Sequence, residues 1–121
     1  MREENKINVN SLQEEAEKSE DKEAFTVLAR LPGYRVGVGA RLEFSNPTFF
    51  VEIIANVCAG HHAVNLNSLK KNLSVLSQLQ ERGYLLTCEG DGTISCEVAV
   101  PSENLKAEYE TAISIVEKQK E

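Results

Sequence analysis

At 121 residues the chain has the usual size of one domain, which argues against a two-lobed enzyme with a cleft between lobes. With 41% hydrophobic and 26% charged residues it is too apolar for a disordered polymer. Its best apolar run, Thr48 to Gly60, is too short for a membrane-spanning helix and carries Glu52 and Asn56. The net charge of −6 is uneven, because residues 1 to 23 hold eight acids against four bases while the rest is nearly balanced. No broad basic face is implied, so nucleic acid is a weak expectation as a partner.

The first residues contain no central apolar stretch of the secretory kind, so the expected location is cytoplasmic and the three cysteines are expected to be reduced thiols. Residues 1–23 are expected to form an acidic flexible arm with a frayed helix start, and residues 24–121 a single α+β domain. Ser11 and Glu14 have capping-box spacing. The helix they begin is nearly all charged from Glu15 to Lys22, so its docking half is expected to be Ala24, Phe25, Val27, Leu28 and Leu31, before Pro32-Gly33 ends it. The acidic run is a solvated helix end or an interaction tail for a basic partner.

From Tyr34 to Phe44 apolar residues alternate, which predicts a strand with one buried face and with Gly37 and Gly39 on the other. Without a third glycine and a following helix, this Gly-x-Gly is not a nucleotide loop. The stretch Asn46 to Gly60 suits a strand or a helix. Asn46 as N-cap, Pro47 at the first helical position and Gly60 at the C-terminus favour helix.

A helix is predicted from Asn65 or Asn67 to Arg82, with Leu66, Leu69, Leu73, Leu76 and Leu79 on one side and Gly83 closing it. Its outer face between Asn72 and Gln80 holds Ser, Asn and Gln without charge, and could pack against a second subunit. Tyr84 to Val100 reads as a hairpin around Glu89-Gly-Asp-Gly-Thr93. A three-residue loop would pair Tyr84 with Val100, Leu86 with Val98 and Cys88 with Cys96, placing both thiols inward. Ser102 is expected to cap a last helix that docks through Leu105, Tyr109, Ala112, Ile113 and Val116.

Cys58, His61, Cys88 and Cys96, with His62 beside them, are the candidate zinc ligands, because thiolates and imidazoles form the tetrahedral set zinc prefers. The spacing is not a standard knuckle pattern, and buried thiols also serve as small hydrophobes. Lys70 and Lys71 are the candidate nucleic-acid contacts. No distant acid, oxyanion loop or phosphate cradle accompanies any nucleophile, so no catalytic residue is named and no cofactor beyond that zinc is expected.

The stretch Leu76 to Leu86 followed by Gly90-Asp-Gly92 resembles a recognition helix entering the wing of a winged-helix domain, which would imply a DNA-binding regulator. The would-be wing tip, however, carries Glu89 and Asp91. If Thr48 to Val57 is instead a strand, the order of elements resembles small chaperone-like and adaptor folds. The expected fold is α+β, a small antiparallel sheet of three or four strands packed with helices. The expected function is a non-catalytic interaction or regulatory module that binds a protein partner or itself, with a winged-helix nucleic-acid binder and a zinc protein as the alternatives.

Overall fold

The structure, a computed structural model, describes the backbone of residues 7–44, 46–56, 58–59, 63–64, 66–89 and 92–118, and side chains outside 57–71. It is an α+β fold. Helix α1 (Val9–Lys18) leads into three strands, β1 (Glu23–Leu31), β2 (Tyr34–Glu43) and β3 (Asn46–Asn56), then a two-residue pair, β4 (Cys58–Ala59) and β5 (Ala63–Val64). Helix α2 (Leu66–Glu81), strands β6 (Leu85–Cys88) and β7 (Thr93–Val100), a 3-10 turn (Ser102–Asn104) and α3 (Leu105–Glu117) follow. The main sheet is antiparallel with five strands in the order β1-β2-β3-β7-β6.

The sheet therefore has more strands than the three or four expected, and the extra ones replace two expected helices. At the N-terminus α1 starts earlier, with the Asn8 side chain accepting from the Ser11 amide at 3.0 Å, and it ends at Ser19. Its docking residues are Leu12 and Ala16, while the segment from Ala24 to Leu31 is strand β1. Asn46 and Pro47 do not start a helix. Asn46 partners Glu43 across a tight hairpin and Pro47 lies at the start of β3, where a missing amide is tolerated. With strands rather than a helix directly ahead of α2, the described residues contain no helix-turn-helix pair, and the winged-helix layout is replaced by the meander β1-β2-β3.

All three helices bury their apolar residues in one cluster with one face of the sheet. Val36, Val38, Ala40, Phe49, Val51, Ile53, Ala55 and Cys96 come from the strands, and Leu12, Val75, Leu79, Leu105, Tyr109 and Val116 from the helices. Helix α1 lies over β1 and β2, α3 over β2 and β3, and α2 beside α3 and β6. Burying six or more large aliphatic side chains at about 1.5–3 kcal/mol each supplies the main drive for this layering.

The opposite face is built on the two glycines. Phe25, Gly39, Phe50 and Ala99 are lateral neighbours across four strands. The Phe25 and Phe50 rings lie parallel, 6.3 Å between centroids, and the Arg41 guanidinium sits 4.8 Å above the Phe50 ring. A Cβ at Gly39 would stand 2.3 Å from the Phe50 ring and one at Gly37 would stand 2.1 Å from the Thr26 carbonyl oxygen. The glycines thus let two rings lie flat on the sheet, and Phe50 is fully buried on a face that no described helix covers.

The β6–β7 hairpin differs from the expected pairing by two residues. Leu86 faces Cys96 and Cys88 faces Ile94, with the Glu89 amide donating to the Thr93 carbonyl at 2.9 Å. A shift of two preserves the side-chain face, so Leu86, Cys96 and Val98 still point inward, but Cys88 is carried beyond the core into solvent. In α3 the residue before the helix is Asn104, no side-chain cap comes from Ser102, and Ile115 joins the expected docking residues.

Candidate functional site

The residues proposed for metal binding are only partly brought together. The Cys58 backbone pairs with Val64 in the β4–β5 ladder, but its side chain and both His61 and His62 lie outside the described residues. Cys96 is buried in the core, where burial, followed by the nearby Glu52 carboxylate, pushes its thiol up to about 12. Such a thiol is a poor ligand and nucleophile at neutral pH. Cys88 is exposed and faces Ile94 across the hairpin. Among the described residues no three His, Cys, Asp or Glu side chains converge on a point a metal could occupy. Lys70 and Lys71 fall within α2, and their side chains lie outside the described residues.

The polar groups of the helix-free sheet face are largely engaged with one another. Arg41 donates from Nε to Glu23 at 2.7 Å and from both terminal nitrogens to Glu97 at 3.1 and 3.2 Å. These hydrogen bonds raise the guanidinium above its ordinary range, and the fork-to-fork contact with Glu97 fixes its plane over Phe50. Glu52 accepts from the Ser95 hydroxyl at 2.9 Å, and burial raises its carboxyl above the usual range. A raised carboxyl can mark a general acid, and here it lies on the sheet surface with its oxygen held by the Ser95 hydroxyl.

The more open feature is the β1 edge. Among the described residues strand β1 pairs only with β2, so one side of a nine-residue strand is left without a described strand partner. Beside it runs a cleft of about 240 Å³ between α1 and the sheet. Ile7, Leu12, Leu28 and Val38 form its apolar wall, and Asn8, Ser11, Glu15 and Thr26 supply polar groups. The ladder slips between Val27 and Ala29, leaving Leu28 unmatched at a bulge and lining this cleft. An unpaired edge next to an apolar cleft is the arrangement that lets an extended peptide add as a strand, its backbone giving affinity and a side chain in the cleft giving selectivity.

This edge is hidden in the sequence because Ala24 to Leu31 is apolar on both sides. Ala24 and Leu28 pack toward the core while Phe25 lies on the glycine track, so alternation is hidden. The available signal was Thr26, Val27 and Phe25 in succession, a β-favouring composition just before Pro32-Gly33. No protein-family model, no curated protein and no solved structure matches the chain. No described helix is long and apolar enough to cross a membrane.

Proposed function

We propose that the chain is a non-catalytic partner-binding module that takes an extended peptide segment of another protein along strand β1. The observation supporting this reading is the free β1 edge lying beside the cleft that Leu28 and Leu12 line. A peptide paired there would be the sixth strand of the sheet and would seat an apolar side chain between α1 and β1. The acidic Glu15 at the cleft favours a peptide with a basic residue near that anchor.

Peptides selected from a random display library against the full chain test the reading. On titration with a selected peptide, amide shifts and new hydrogen-exchange protection are expected on β1 and α1, and Leu28→Glu is expected to weaken binding by about tenfold or more. Peptides that bind but perturb only β6, β7 or α3 would overturn it.

A second reading, self-association, is favoured by a separate observation. Leu73 on α2 is 54% exposed, and the exposed helix positions that follow it, Ser74, Ser77 and Gln80, carry no charge. We infer a weak homodimer through this side. Light scattering across a concentration series is expected to show a rising mass that Leu73→Lys abolishes, and an unchanging monomer mass rejects the dimer without touching the β1 reading.

A further inference from the structure

Phe44 is 99% exposed, and its backbone is left-handed, with φ at 51°. Glu43 and Asn46 are partners, so Phe44 begins a two-residue hairpin connection, where positive φ favours glycine or asparagine and disfavours a bulky ring. Among the described residues the only other non-glycine in this conformation is Lys22, with φ at 56°, and both line the same cleft, together with Glu17 and Leu42. The Lys22 carbonyl accepts from the Leu42 amide at 2.8 Å, which fastens the α1–β1 turn beside the β2–β3 tip. The fold leaves nearly all of this ring in water, at a position whose backbone would prefer another residue.

Charge at the same end says what could cover the ring. Residues 17 to 23 with Arg41 and Glu43 hold five acids against two lysines and the arginine that pairs with Glu23, a net −2 out of the −6 of the whole chain, and Glu17, Glu20, Asp21 and Glu43 are exposed. An anionic bilayer, a nucleic acid or a second copy of this acidic chain would be repelled from that end. We propose that the β2–β3 tip is a second docking point, where Phe44 inserts as an aromatic anchor into an apolar pocket of a basic partner protein whose lysines or arginines meet the surrounding carboxylates. The site lies at the opposite end of α1 from Ile7 and Asn8 of the β1 cleft, and the proposal stands whether or not that cleft takes a peptide.

The test compares two synthetic probes on the isotope-labelled full chain, a peptide of alternating lysine and leucine and an all-lysine peptide of equal charge. The lysine–leucine peptide is expected to bind about tenfold more tightly, with the largest amide shifts at residues 42 to 46 and 17 to 22, and Phe44→Asn is expected to erase the difference between the probes. The variant is also expected to melt at the same or a higher temperature, since asparagine accepts the left-handed backbone. Equal affinity for the two probes, a preference that survives in Phe44→Asn, or a lower melting temperature of the variant would each overturn the proposal. So would tighter binding to phosphatidylserine vesicles than to the peptide, or a dimer that requires Phe44.

Discussion

The Tyr34 hydroxyl donates a hydrogen bond to the side-chain oxygen of Asn72, tying the first residue of β2 to the middle of α2. Both residues are buried, so the bond joins sheet and helix inside the core rather than at its rim. Tyr34→Phe leaves the amide oxygen of Asn72 without this donor and is expected to cost about 1–3 kcal/mol by urea unfolding. Asn72→Leu alone is expected to cost a similar amount, and the double variant less than the sum of the two, by roughly 1 kcal/mol of coupling. Strict additivity would show that the two groups do not interact.

Alkaline unfolding gives an independent reading of the same residue. Burial first, and then proximity to Cys96, holds the Tyr34 phenol up at about 12 against an ordinary value of 10.0. The folded state therefore keeps a proton that the unfolded chain releases. The contribution of Tyr34 is complete below pH 10 and is lost as pH rises from 10 to 12. Stability measured over that window is expected to fall less steeply in Tyr34→Phe than in the parent.

The glycine track makes a sharp prediction about small substitutions. Gly37→Ala places a methyl against a backbone carbonyl and Gly39→Ala places one against the Phe50 ring and the Ala24 carbonyl. Each is expected to cost about 2–4 kcal/mol by chemical denaturation, well above the usual cost of overpacking by one methyl, because strand backbones cannot yield singly. Combining Gly39→Ala with Phe50→Leu is expected to recover part of the loss, whereas Gly37→Ala is expected to resist rescue by that change.

Two carboxylates are expected to act oppositely on acid stability. Glu108 accepts from Arg82 at 2.7 and 3.1 Å and from the Tyr84 hydroxyl at 2.8 Å, and these bonds hold its carboxyl below the ordinary value of 4.5. Its contribution is present above pH 4.5 and is lost as pH falls below that. Glu108→Gln should therefore cost roughly 1–2 kcal/mol at pH 7 and little at acid pH. Glu52 is raised by burial, so its ionisation opposes folding as pH climbs above 4.5. Glu52→Gln is expected to stabilise at neutral pH, with the gain vanishing in acid. Thermal melts of both variants from pH 3 to 8 check the signs.

Thiol labelling checks the hairpin register. In a Cys58→Ser background, Cys88 is expected to react with a neutral alkylating reagent as an exposed thiol, and Cys96 at least about a thousandfold more slowly, only when the chain opens. Equal rates for the two would place Cys88 back inside, opposite Cys96.

The helix α2, the strand β2 and the hairpin were legible because each has one buried side. Val36, Val38 and Ala40 alternate cleanly against Gly37, Gly39 and Arg41, and Leu76 and Leu79 recur at helical spacing. The segments β1 and β3 carry a helix-like pattern because each packs apolar residues on both sides, one toward the core and one on the glycine track. Phe49, Val51 and Ile53 point to the helices while Phe50 lies against Gly39, so a period of two looks like a continuous apolar run. The hairpin register is not legible in the pattern, because a shift of two leaves the side-chain face unchanged. The β1 edge and the Phe44 tip depend on which strands end the sheet and where a turn falls, and neither is written in local pattern. Phe44 in fact continues the alternation of β2, and only the turn diverts it outward.

The position of β3 has a consequence for how the polypeptide reaches this arrangement. Phe49 pairs with Val100, fifty-one residues later, so the middle strand must wait for the last hairpin before its second flank is closed. During synthesis the first 56 residues can assemble as a meander while α2 and β6 are still being added, and throughout that interval β3 is bare along one side. A nascent chain halted before Thr93 would expose this flank to any neighbour, making late truncation far more prone to aggregation than loss of the first few residues.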